Sequence, residues 1–314
     1  MDLKRILCPV DFSDASNHAI EHAAAIAGYY GAGITALHLI SPVEPWLEDA
    51  VDTLRQKTRE FFTPHAACRL PVDVIVDVAE PVAGILTRAA SLPADLIVMG
   101  THGLSGFKHF AMGSVAEDVL RKAPCPVLAV PPRAHMPSRL PFHRVLCAVD
   151  ASDASLCAAQ AAASLAHECG ASLTLLHVIE WPWPEPPAPK SEDLPPEQAL
   201  ALASFRRDAE ARARRYLAAV VSTLTVKHTV VTSIAHGTPH EQILDAITRE
   251  NIDVVVIGVA GRSALALTLL GSTANRVLRA APCPVLTVRQ LRAGEPAGRI
   301  LAALDSGTQE RRRI

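Results

Sequence analysis

Four small residues recur twice at one spacing. Gly100, Gly103, Gly113 and Ser114 give G-x2-G-x9-G-S within GTHGLSGFKHFAMGS, and Gly258, Gly261, Gly271 and Ser272 repeat it within GVAGRSALALTLLGS. Each motif begins at the end of an apolar run, ADLIVMG or DVVVIG, that has the length and composition of a buried strand. Glycine at a strand end lets backbone amides approach an anion with no Cβ in the way. A Gly-Ser pair opening the next helix adds free N–H groups, a hydroxyl and the positive end of the helix dipole. The chemistry this suits is the cradling of a phosphate. Tight turns alone would also explain one such set of glycines. Two sets are harder to explain that way, because the residues between the glycines have diverged while the spacing has not.

Asp11 and Asp150 end the segments RILCPVD and RVLCAVD. If the strands before them neighbour the strands before the glycines, each carboxylate sits beside a cradle and can accept hydrogen bonds from a nucleoside. G-x-x-x-x-G-K-[ST] does not occur, so no lysine is placed on the terminal phosphates as in a P-loop enzyme, and fast hydrolysis is not expected. Lys108, His109 and Arg262 lie in the glycine loops, where solvated surface is the simpler reading and phosphate neutralisation the alternative.

The elements that must position these groups follow from periodicity. RILCPV reads as a strand and ASNHAIEHAAAIAGYYG as an Ala-rich helix that Gly31 can terminate. GITALHLI is a strand, Trp46 to Cys68 a helix charged on one side, PVDVIVDV a strand, and Pro81 to Ser91 a helix with proline in its first turn. ADLIVMG, a helix after Gly113 and the strand PVLAV complete the unit, and the second half repeats the order. Strands alternating with helices imply a parallel sheet covered on both faces, with ligands collecting at the carboxyl ends of strands where crossovers change direction. The expected fold is α/β: two tandem Rossmann-like domains of the adenine nucleotide alpha hydrolase-like kind, each a five-stranded parallel sheet.

The duplication is direct. AEDVLRKAPCPVLAV at 116–130 matches ANRVLRAAPCPVLTV at 274–288 at eleven of fifteen positions, an offset of 158, whereas RILCPVDFSDAS at 5–16 and RVLCAVDASDAS at 144–155 are offset by 139. The nineteen-residue difference falls in the proline-rich run from Trp181 to Gln198, which the prolines mark as an exposed loop with no regular helix, a lid or partner-binding segment being the alternative. PPRAHMPSRLPF at 131–142 reads as a linker. The expected domains are 1–133 and 140–290, followed by an extension at 291–314. In that extension RILAALDS resembles RILCPVDF, as a flexible tail or the first strand of a truncated third repeat.

The glycine spacing after a strand, the aspartate ending strand one and the closing P-C-P-V-L strand together resemble the universal stress protein family, in its ATP-binding branch. The resemblance covers both halves to about residue 290. It implies contact with adenosine through Pro9, Asp11, Leu39 and Met99, and with ribose and phosphates through Gly100, Gly103, Gly113, Ser114 and Val115. At the second site it implies Asp150, Val178, Ile257, Gly258, Gly261, Gly271, Ser272 and Thr273. That site departs at Ala148, where the first half has Pro9, and at Ala260, where it has His102. The implied cofactor is ATP with Mg²⁺, bound rather than turned over, with slow hydrolysis as the alternative. The partners implied are an adenine nucleotide and an unidentified protein, with the two domains pairing through their fifth strands and a homodimer of the whole chain as an option.

Composition narrows the alternatives. The formal net charge is −2 and the pI about 6.7, so no chain-wide basic field attracts nucleic acid or an anionic membrane. The opening MDLKRILCPVDFS lacks the long apolar stretch of a secretory signal, and no run approaches the length of a membrane span; a cytoplasmic location is expected. Seven cysteines without a CxxC pair read as buried thiols. His18 with His22, and His236 with His240, have a spacing that can hold zinc, but no third ligand is evident. His38 and His177 recur in LHLI and LHVI and read as fold-supporting. An ATP pyrophosphatase would need a glycine-rich loop after strand one, where DFSDAS and DASDAS stand. A flavoprotein or a nucleotide-free interaction module of the same architecture are the remaining alternatives, and the intact glycine spacing argues against the second.

Overall fold

The structure, a computed structural model, describes residues 3–42, 48–62, 72–102, 112–132, 134, 142–180, 195–224, 230–259 and 270–289. The first half runs β1 (Arg5–Val10), α1 (Asp14–Tyr30), β2 (Gly33–Ile40), α2 (Glu48–Phe62), β3 (Val72–Val78), α3 (Pro81–Ser91), β4 (Leu96–Gly100), α4 (Ser114–Lys122) and β5 (Val127–Val130). The second runs β6 (Arg144–Ala148), α5 (Asp153–Cys169), β7 (Ser172–Ile179), α6 (Pro196–Thr223), β8 (Val230–His236), α7 (Pro239–Glu250), β9 (Val254–Gly258), α8 (Ser272–Ala280) and β10 (Val285–Val288).

The strands form one ten-stranded sheet in the order β3-β2-β1-β4-β5-β10-β9-β6-β7-β8. Every pair within a half is parallel, and β5 meets β10 antiparallel with Leu128 opposite Leu286. The fifth strands therefore join the halves, as their position at the end of each unit led us to expect. Thr287 adds a side-chain bond to the carbonyl of Val127 (3.1 Å) across this seam.

Two cores lie on opposite faces of the sheet, and each is continuous across the seam. One packs α1, α5 and α6 through Ala23, Ala27, Ala162, Ala166 and Leu217; the other packs α3, α4, α7 and α8 through Ile85, Val119, Ile243 and Val277. Alanine on α1 and α5 lets their axes approach the sheet closely, while branched strand residues fill both sides. Burial drives this arrangement, as apolar area leaving water is the dominant favourable term.

Helix ends follow local chemistry. Ser13 and Ser152 cap α1 and α5, each accepting from the amide three residues on (Ser16 and Ser155, both 3.2 Å), and Gly31 and Gly170 close them in the left-handed conformation. One expectation needs correction. α6 opens at Pro196, inside the proline-rich run where no helix was expected, because proline is tolerated in a first turn where the missing N–H would have no helical partner. Residues 181–194 of that run, both ends of the expected Trp46–Cys68 helix, and the extension from 290 onward lie outside the described residues.

Candidate functional site

β1 lies between β2 and β4, so the order of connection reverses there; β6 between β7 and β9 repeats this. These are the topological switch points where a crevice opens beyond the strand ends. Pro9 and Asp11 at the end of β1, Leu39 near the end of β2, and Met99 and Gly100 at the end of β4 share one rim of the sheet. Gly113 donates its N–H to the carbonyl of Thr101 (2.8 Å), tying the start of α4 to the same rim. In the second half Asp150, Val178, Ile257 and Gly258 take the matching places, and Gly271 donates to Val259 (2.8 Å). Gly103 and Gly261, with Lys108, His109, Ala260 and Arg262, lie outside the described residues.

The glycines divide by role. A Cβ on Gly100 would meet Ala15 at 2.8 Å, and one on Gly258 would meet Ala154 at 2.7 Å. These first glycines admit the opening turn of α1 or α5 against the strand end, a steric need that holds whether or not a ligand is bound. The amides of Gly113 and Gly271 are also committed, contrary to the expectation that they are free. What remains is the first turn of each following helix: Ser114, Val115 and Ala116 in α4, and Ser272, Thr273 and Ala274 in α8. Gly113 and Gly271 are the N-caps and supply no side-chain acceptor to those amides. The starts of α3, α6 and α7 also lack a side-chain cap, but each carries proline in its first turn and so offers one donor fewer.

The aspartates are held by serines two and five residues on. Asp11 Oδ1 accepts from Ser13 N (3.0 Å), Ser13 Oγ (2.6 Å) and the Ser16 hydroxyl, while Ser16 Oγ accepts from the Asp11 amide (3.1 Å). Asp150 Oδ1 accepts from Ser152 N (3.0 Å) and Ser152 Oγ (2.6 Å), and its own amide donates to Ser155 Oγ (3.3 Å). The repeated D-x-S-D-A-S was the available signal. Phe12 and Ala151, immediately after the aspartates, both adopt left-handed backbone, with φ of 63° and 65°. Non-glycine residues pay about 1 kcal/mol or more for this conformation, and matching outliers at both switch points mark turns that the surroundings enforce.

Different side chains do the enforcing. In the first half the Phe12 ring lies 4.6 Å from that of His38, with Lys57 Nζ of α2 4.3 Å above it. In the second the Tyr216 hydroxyl of α6 accepts the Ala151 N–H (3.0 Å), and its ring lies 5.5 Å from that of His177. His38 Nδ1 pairs with the Val10 carbonyl and His177 Nδ1 with that of Val149, both at 2.8 Å, so these histidines bind the turns to the second strands as the sequence suggested.

The histidines spaced four apart make other contacts. His22 Nδ1 lies against the His18 carbonyl (2.8 Å), His236 faces Glu210 (3.5 Å) and His240 faces Arg276 (3.5 Å). Among the described residues no three potential metal ligands of the His, Cys, Asp and Glu types gather. Burial pushes the thiols of Cys8, Cys125 and Cys283 up to about 12, and that of Cys147 up as well, which fits inert packing residues. An open groove of about 620 Å³ between α6 and β8, lined by Leu217, Val221, Val230 and Ile234 among others, lies apart from both switch points.

The family model for the universal stress protein family matches residues 2–131 and again 141–289. The chain belongs to the universal stress protein family. A universal stress protein of Mycolicibacterium smegmatis is 28% identical over 305 residues, covering 90% of this chain and 96% of its own. A shorter universal stress protein of Thermus aquaticus is 36% identical over 135 residues, 40% of this chain and 98% of its own. The crystal structure of a universal stress protein from Archaeoglobus fulgidus covers 91% of this chain and 98% of its own with a TM-score of 0.63 at 24% identity, which establishes likeness of fold. No described helix is long and apolar enough to cross a membrane.

Proposed function

We propose that this universal stress protein binds ATP at two sites, one at each switch point, and acts as a nucleotide-dependent binding protein rather than an efficient enzyme. The observation that carries the reading is the pair of glycine-capped helix starts, α4 and α8, tied by backbone bonds to the strand ends beside Asp11 and Asp150. Their first-turn amides suit an anion, and Met99, Leu39, Ile257 and Val178 give each crevice an apolar wall for a base. At the first site Ser114, Val115 and Ala116 would hold phosphate through backbone N–H groups, with the Ser114 hydroxyl as a further donor. Mg²⁺ would be held mainly by phosphate oxygens and water, as its preference for few protein ligands allows.

In this reading Pro9, Asp11 and Asp150 border the nucleoside, and Gly103 and Gly261 are further candidate contacts to ribose and phosphates. Nucleotide binding shifts the protein between surfaces that a protein partner distinguishes. A cytoplasmic location and a homodimer belong to the same proposal. The competing reading, a nucleotide-free interaction module, draws on the commitment of the Gly113 and Gly271 amides to Thr101 and Val259.

The deciding experiment is to denature freshly purified protein and identify released nucleotide by mass spectrometry, with Gly113→Glu alongside. ATP in the wild type, reduced in the variant, and a rise in Tm on adding ATP are the expected results. No adenine nucleotide together with no ATP-dependent rise would favour the interaction module.

A further inference from the structure

The two crevices differ in one wall. Leu39 of β2 rests against Gly84 of α3: a Cβ on Gly84 would stand 2.7 Å from Leu39 Cδ1, 2.9 Å from its Cδ2 and 3.2 Å from the Ala79 Cβ. Position 84 is therefore closed to any side chain while Leu39 and Ala79 keep their places, and the wall is hydrocarbon. In the second half all three partners change together. Val178 stands for Leu39, Gly237 for Ala79 and Gln242 for Gly84, the last three residues into a helix that opens, like α3, on proline.

The exchange is compensating. One methylene goes from the strand and a methyl from the turn, and a long side chain arrives from the helix. Gln242 lies back over the turn, its Nε2 3.5 Å from where a Cβ on Gly237 would stand, and Gly237 has φ of +126°, which L side chains rarely adopt. Gly237 donates to the carbonyl of Ile179 at the end of β7 (3.1 Å), so the carboxamide sits at the carboxyl ends of β7 and β8, on the rim that carries Val178. Gln242 is half-buried, so part of its side chain stays open to solvent at this rim.

Resting on the nucleotide reading above, we infer that Gln242 is a base-reading residue, through which the second site accepts guanine as well as adenine nucleotides while the first is confined to adenine. Backbone carbonyl and N–H groups at a strand end present donor and acceptor in a fixed order, which suits one purine edge and opposes the other. A carboxamide carries both a donor and an acceptor and satisfies either edge by turning over. The hydrocarbon wall of Leu39 on Gly84 offers no such group, so a guanine there would bury polar atoms unpaired.

The test is calorimetric titration of the full chain with ATP and with GTP. Gly113→Glu disables the first site and Gly271→Glu the second. With only the second site intact, both nucleotides should bind, and adding Gln242→Leu should weaken GTP about tenfold or more and ATP by less. With only the first site intact, ATP should bind and GTP be weaker by about tenfold or more. Transplanting the triple Leu39→Val, Ala79→Gly and Gly84→Gln into that variant should confer GTP binding. GTP affinity unchanged by Gln242→Leu, GTP refused by a second site that takes ATP, or a folded transplant with no gain in GTP binding would each overturn the inference while leaving ATP binding intact. Failure of both nucleotides in every form, wild type included, would remove the nucleotide reading and this inference together.

Discussion

Gly100 lies so close to Ala15 that a Cβ on it would stand 2.8 Å from the Ala15 carbonyl oxygen, and Gly258 bears the same relation to Ala154. The end of β4 and the first turn of α1 thus share a boundary with no room for one carbon, at the residue where the candidate phosphate loop begins. Gly100→Ala should lower stability by roughly 1–3 kcal/mol, because the obstacle is backbone and cannot swing aside. Denaturant unfolding measures this directly, and a change below about 0.5 kcal/mol would mean that the helix start yields more easily than its packing indicates.

Ser13 both caps α1 and donates to Asp11. Ser13→Ala removes the cap and one of the donors that hold the carboxylate, so a loss of about 1–2 kcal/mol is expected. Ser13→Gly should cost less at the cap. Comparing the two variants by thermal unfolding separates capping from the aspartate contact.

The α1–α5 seam joins the halves through unlike residues. Tyr30 OH donates to Glu168 Oε2 (2.8 Å) and Tyr29 OH to the Glu168 carbonyl (2.6 Å). Tyr30→Phe should cost about 1–2 kcal/mol, the worth of a partly buried bond to a charged acceptor. Because both cores run through the seam, unfolding should stay a single transition in wild type. Separate transitions for the halves would show that the shared core couples them weakly.

Burial holds the His22 imidazole below its ordinary value of 6.5. Near and below that value the unfolded chain takes up a proton that the folded chain resists, so the unfolded state binds more protons and stability falls as pH falls. The contribution is fully present above 6.5 and is lost as pH drops through the folded-state value. Replacing His22 with Gln should flatten the stability profile as pH falls below about 6.5, relative to wild type. An unchanged slope would assign the acid sensitivity to other groups.

With thiols near 12, Cys8, Cys125 and Cys283 hold roughly one part in ten thousand as thiolate at pH 8. A thiol reagent should leave them unmodified in native protein and label them on addition of denaturant. Mass mapping of the labelled peptides reads the outcome. Labelling of Cys8 or Cys283 at the native rate of an exposed thiol would contradict their burial.

Much of this protein is written along the chain. Periodicity, the duplicated segments and the Gly-Ser pairs determine the strands, the order of elements and the residues that open α4 and α8, because each rests on contacts within a few residues. Other features depend on partners far away in sequence. That Gly100 also answers a steric need of α1 became clear only when Ala15, eighty-five residues earlier, was placed against it. The exchange of Leu39, Ala79 and Gly84 for Val178, Gly237 and Gln242 is invisible as three separate substitutions and meaningful only as one packed group. Likewise the pairing of the fifth strands was expected from the order of elements, but the antiparallel register of β5 on β10 and the cores that run across it rest on burial over the whole molecule.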